Sequence, residues 1–152
     1  MNIYDLLRED HEKAIDLFDQ LEKLEEKGGA KKQQNQDKIF SQLKHELAIH
    51  AAGEEDIFYS VLKEDDETRA QALEALEEHH VVKLLLDELD SMQKGEQWYA
   101  KLSVLRDNVT HHIEEEEGEL FDAAQDILDD DEAQDMAQRM QDFKKEQMAA
   151  AR

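Results

Sequence analysis

Cysteine and proline are absent from this 152-residue chain, and glycine occurs only five times. Without cysteine there is no disulfide, no thiolate metal ligand and no thiol nucleophile. Without proline, and with so little glycine, little in the chain breaks a helix or makes a sharp turn. Alternating β-branched runs and Asn-Gly turns are missing too, so the signals of strands are not there. Basic residues are scarce: 18 Lys and Arg stand against 40 Asp and Glu, a net charge of −22. Nucleic acids and anionic membranes both need a basic face, so neither is an expected partner. Cationic partners, metal ions among them, suit this charge better. No stretch approaches the ~20 apolar residues of a membrane-spanning helix. The opening MNIYDLLREDH lacks the basic start and apolar run of a signal peptide, and the expected location is the cytoplasm.

What the chain does contain is Ala, Leu, Glu, Lys and Gln, all strong helix formers. Its length suffices for one domain with a hydrophobic core. Four polar breaks divide it: EKGGAKKQQNQ at 26–36, KEDDET at 63–68, QKGEQ at 93–97 and DILDDDEAQ at 126–134. Helices are predicted over about 3–27, 34–63, 67–94, 96–128 and 132–149. Asp66 reads as the N-cap of the third helix, and Gly95 as a residue suited to its C-terminal end. The acids of the last break favour the N-terminus of the fifth helix. Short connections make successive helices antiparallel. The expected fold is all-α: an up-down-up-down four-helix bundle over 1–128, with a short C-terminal helix in 129–152 packed on it or extending from it.

Steps of three and four residues trace the inward seam of each helix. The first gives Tyr4, Leu7, His11, Ala14, Phe18 and Leu21. The second gives Phe40, Leu43, Leu47, His50, Glu54, Ile57 and Val61. The third gives Ala72, Ala75, His79, Val82, Leu86 and Leu89. The fourth gives Trp98, Leu102, Leu105, Val109, His112, Glu116, Glu119 and Ala123. Each seam carries one histidine among apolar residues, and two carry a glutamate one turn on. At ~1.5 Å per residue, the antiparallel arrangement brings these side chains to one level of the bundle. The fifth helix, with Ala133, Met136, Met140 and Phe143, carries none of them.

Spacing alone is a weak signal. With 40 acids in 152 residues, about two HxxxE pairs among seven histidines arise by chance, and the sequence has three. Position is stronger. A buried carboxylate or imidazolium without a partner costs several kcal/mol, so this layer would make a poor core by itself. A cation at the centre resolves the difficulty, and mixed imidazole and carboxylate donors suit iron, manganese or zinc. The metal-free alternative is a set of internal His–Glu ion pairs. His45 and His111 lie off the seams. His80 is the alternative to His79 if the third helix is rotated. Glu55, Glu114, Glu115 and Glu117 read as a solvated face, Leu120 competes with Glu119 for the inward place, and Tyr59 reads first as core. Gly53 and Gly118, inside helices, either are tolerated or leave room beside the site.

The phrases DHEKAIDLFDQLE, EEHHVVKLLLDEL and HHIEEEEGELF, with His11, His50/Glu54, His79 and His112/Glu116 in order, resemble the hemerythrin-like, or HHE cation-binding, family over about residues 4–125. The resemblance implies a four-helix bundle with a non-haem centre of two iron ions bridged by the glutamates. It implies His11, His50, Glu54, His79, His112 and Glu116 as metal ligands. Oxygen carriers of the family place a further histidine one turn before the third-helix ligand, where this chain has Ala75. Family members often have proline after the aromatic pairs, where this chain has Ser60 and Asp122. The expected function is binding or sensing of a small diatomic ligand, oxygen or nitric oxide, or a response to iron. The alternative is an oxidase or peroxidase acting on peroxide or nitric oxide through the same residues. A ferritin-like site expects two ExxH motifs, and only Glu77/His80 fits one. A further reading has the domain serve a partner protein, with the C-terminal helix as the docking element.

Overall fold

A computed structural model describes residues 1–27 and 29–150. Gly28, in the first polar break, and the last two residues of the C-terminal segment lie outside the described residues. Five long helices follow one another, and no strand occurs among the described residues. α1 is Ile3–Glu26. α2 covers residues 32–62, as Lys32–Gly53, a π-helical turn Glu54–Tyr59, and Ser60–Leu62. α3 is Arg69–Asp90. α4 covers residues 96–127, as Glu96–Glu115, a second π-helical turn Glu116–Leu120, and Phe121–Ile127. α5 is Asp130–Ala150. The molecule is all-α, four antiparallel helices with a fifth laid against them.

Local chemistry sets the ends. Asn2 caps α1 by accepting from Asp5 N–H at 2.9 Å, while Asp5 accepts in return from Asn2 N–H, a reciprocal box that satisfies two free donors. Asp129 and Glu132 make the same exchange before α5. At the α1–α2 turn Gly29 has φ +133°, a conformation that only glycine adopts without strain. Two expectations are corrected. α3 starts after Thr68, not from an Asp66 cap. The Thr68 hydroxyl donates to Leu62 O at 2.5 Å, and Asp66 instead pairs with Arg69 on the surface. Gly95 does not end α3, which stops at Asp90; its extended backbone precedes α4.

The seams hold up to the two glutamates and then slip. After Glu54 the expected Ile57 is still buried, but so are Phe58, Tyr59 and Leu62, while Val61 is 38% exposed. After Glu116 they are Leu120, Phe121 and Ala124, while Glu119 is exposed and Ala123 is half-buried. The cause is the π-turn at each place. One extra residue per turn advances the inward face by one position.

The apolar core therefore has two halves. Phe18, Leu21, Phe40, Leu43, Leu89 and Trp98 fill the end near the α1–α2 and α3–α4 turns. Ile3, Leu7, Phe58, Leu62, Ala72 and Phe121 fill the other, joined by Ala133, Met136, Ala137 and Met140 of α5. The apolar face of α5 is thus used within the chain itself. Gly53 makes this docking possible: a Cβ there would overlap Met140 Sδ and come within 3.2 Å of Phe143. Gly118 faces open space.

Candidate metal centre

Between the two apolar halves lies one polar layer. His11 enters it from α1, His50 and Glu54 from α2, His79 from α3, and His112 and Glu116 from α4. All six are buried, the glutamates most completely at 0% and 1% exposure. Glu54 lies between two histidines, its Oε1 2.8 Å from His50 Nε2 and 3.2 Å from His79 Nε2. Glu116 lies between the other two, with Oε1 3.2 Å from His11 Nε2 and Oε2 3.3 Å from His112 Nε2. Two overlapping donor sets result. One is His11, His50, Glu54 and Glu116, with an atom from each within 4.8 Å of the others; the second is Glu54, His79 and His112. His80 is exposed, His45 half-buried and His111 exposed, so none of the three reaches this layer.

Each of the four imidazoles is held from behind by a carboxylate. His11 Nδ1 meets Glu117 at 2.7 Å, His50 Nδ1 meets Asp10 at 2.8 Å, His79 Nδ1 meets Glu55 at 3.0 Å, and His112 Nδ1 meets Glu78 at 2.7 Å. A carboxylate at Nδ1 keeps the proton on that nitrogen and turns the Nε2 lone pair toward the centre. Glu55 and Glu117, expected on a solvated face, therefore belong to the site; both are partly exposed but point at a ring. Asp10, behind His50, is itself tied to Lys144 of α5 by a short ion pair. Tyr59, expected in the core, also reaches the layer. Its hydroxyl donates to Glu116 Oε2 and sits 3.2 Å from His112 Nε2 and 3.5 Å from His79 Nε2.

The centre is left short of hydrogen bonds. His11 Nε2, His50 Nε2, both Glu54 oxygens and Glu116 Oε1 are buried without a hydrogen-bond partner. Their mutual distances are short enough for ion pairing, yet no aligned hydrogen bond forms. Each such group costs about 1–3 kcal/mol if nothing satisfies it. A cation among them satisfies all at once, and the nitrogen and oxygen donors fit a transition metal of intermediate hardness.

Without a cation, protons take its place. Burial pulls the His50 imidazole down, but Glu54 and Asp10 together outweigh it and push it up to about 10. Burial likewise lowers His112, and Glu116 and Glu78 overcome it, to about 11. His79 is raised by Glu54 and Glu55 against its own burial. Burial raises the Glu116 carboxyl, but hydrogen bonding and the imidazoles of His11 and His112 hold it well below the usual range. Metal entry therefore displaces protons from several rings.

The outer carboxylates should show in affinity. Asp10→Asn, Glu78→Gln and Glu55→Gln are each expected to weaken metal binding by roughly 10–100-fold, by freeing the ring they orient. Glu115→Gln should have a much smaller effect, since Glu115 holds no ring of the layer; it pairs with surface His111 at 2.9 Å and lies beside Glu78. Metal titration with a competing chelator makes the comparison; equal affinity in all four variants would remove the carboxylates from the site.

The hemerythrin HHE cation-binding domain matches residues 2–124 of this sequence. The chain belongs to that family, and it is a metal-binding protein of the hemerythrin-like kind. A curated relative, a DNA nickase of Nostoc sp., is 26% identical over 141 residues. The alignment covers 90% of this chain and 37% of that protein, so the chain spans little more than a third of the relative's length. No solved structure matches the chain. No described helix is long and apolar enough to cross a membrane.

Proposed function

We propose that the chain holds two iron ions and uses them to bind or sense a small diatomic molecule, dioxygen or nitric oxide. His11 and His50 would serve one ion, His79 and His112 the other, with Glu54 and Glu116 between them. The two overlapping donor sets that share Glu54 are the observation that carries this reading. A single ion would leave one histidine pair without purpose. When bound, iron supplies open coordination positions and a redox couple.

The surroundings support a small, weakly polar ligand. A cavity of about 40 Å³ adjoins all four histidines, walled by Ala14, Leu47, Val82, Val109 and Ile113. Its polar lining groups are the four rings, Asp10 and Glu46, and Asp10 is already held by His50 and Lys144. The remaining apolar wall suits a diatomic gas, which needs no polar partner. A groove between α2 and α3 is lined by Ala48, Ala51 and Leu76 and reaches His79 of the layer. DNA nicking, the activity in the relative's name, is not carried over. A net charge of −22 repels a phosphate backbone, and most of the relative lies outside the shared length.

Reduced, iron-loaded protein mixed anaerobically with nitric oxide, or with dioxygen, should change its visible spectrum promptly. A spectrum indifferent to both gases would overturn ligand handling and leave a structural or storage role.

A further inference from the structure

The centre is built on a repeated pattern. Asp10-His11 in α1 matches Glu78-His79 in α3, and His50 with Glu54-Glu55 in α2 matches His112 with Glu116-Glu117 in α4. The outer contacts repeat as well: Asp10 holds His50 as Glu78 holds His112, and Glu55 holds His79 as Glu117 holds His11. Against this repeat, two places differ. The residue five beyond the inner glutamate is Tyr59 in α2 and Phe121 in α4. The residue four before the histidine is Ala75 in α3 and Leu7 in α1. Both polar or small choices fall on the His79/His112 side.

The π-turn explains why Tyr59 reaches in. A turn of about four and a half residues brings position i+5 under position i, so Tyr59 lies beneath Glu54. Its ring is fully buried and its centroid is 5.2 Å from that of His79. The hydroxyl oxygen touches His112 Nε2 and His79 Nε2, both of the second donor set, and Glu116 Oε2, of the first. Phe121, its counterpart, offers no donor and packs on Tyr4, with ring centroids 5.1 Å apart.

Resting on the two-ion reading, we infer that Tyr59 Oη is a seventh protein donor, bound to the ion between His79 and His112. On coordination the phenol proton leaves to solvent and the ion's charge replaces it. The two positions are then unequal. The His79/His112 position has five protein donors, Tyr59 included. The His11/His50 position has four, and it is the one that stays open to an added ligand.

The test uses the full-length protein loaded with ferric iron. A phenolate bound to iron(III) gives a visible charge-transfer band and enhanced tyrosine ring modes in resonance Raman spectra. Wild-type protein should show both, and the ring modes should shift when the protein is made with ring-deuterated tyrosine, a measurement that needs no variant. Tyr59→Phe should lose the band while still holding two irons per chain by elemental analysis. Tyr4→Phe and Tyr99→Phe should keep it. Wild type with two irons but no tyrosine modes, or a band that survives Tyr59→Phe, overturns this assignment alone. Wild type that takes up no iron overturns the two-ion reading and this assignment with it.

Discussion

Replacing Glu54 and Glu116 together by alanine is expected to abolish iron binding in a protein that still folds as a helical bundle. The two carboxylates are the most buried charged groups of the site, and each stands between a histidine from one donor set and a histidine from the other or its neighbour. If two ions are held as proposed, removing one carboxylate takes a donor from both. Each single variant should therefore lose more than the roughly 10–100-fold of an outer-carboxylate change, and the double variant should hold no iron at all. Elemental analysis of dialysed protein reads the result, with circular dichroism to check the fold. Full iron loading of the double variant would show that the ions sit elsewhere.

Removing the metal should lower the melting temperature by about 10 °C. Binding to the native state alone adds ~4 kcal/mol at a thousandfold excess over Kd, and a chain of this size shifts by about 2–4 °C per kcal/mol. The size of the gap should depend on pH, and the sign follows from the histidines. His50 and His112 are raised to about 10 and 11 in the metal-free protein. Their ion pairs therefore contribute fully below the unfolded value of ~6.5 and are lost as pH rises through the raised values. Metal binding moves the other way, because it must displace those protons and strengthens as they become scarce. The loaded and metal-free melting temperatures should thus separate further between pH 6.5 and pH 9. At low pH the opposite limit appears. Asp10, Glu78 and Glu116 are lowered by their imidazole partners, so their contribution is lost as pH falls below the ordinary carboxylate range. Identical melting with and without iron would favour plain internal ion pairs.

The fold and the polar layer were legible in the sequence because helix period and polar breaks depend on local residue types. Tyr4 to Leu21, Phe40 to Glu54, Ala72 to Leu89 and Trp98 to Glu116 lie inward as a regular helix places them, and the six polar seam residues meet at one level. The period failed beyond Ile57 in α2 and beyond Glu116 in α4. Val61 was expected inward and Leu62 is found there, and of Glu119 and Leu120, which competed for one place, Leu120 is inward; a π-turn leaves no mark in composition. The same slip hid Tyr59, which a regular helix does not bring beneath Glu54. Glu55 and Glu117 were hidden for another reason. In a chain with 40 acids, one more acid beside another looks like solvated surface. A signal existed in the repeat itself: an acid before the histidine in α1 and α3, and a doubled glutamate in α2 and α4. The role of Gly53 depended on where Met140 of α5 comes to rest, a long-range contact that no local pattern encodes.

Whether a pair of ions occupies this layer is tested most directly by a crystal of the iron-loaded protein with anomalous scattering at the iron edge. Two peaks are expected, one beside His11 and His50 and one beside His79 and His112, with Glu54 and Glu116 touching both. A single peak, or peaks only at the surface group of Glu78, His111 and Glu115, would contradict it.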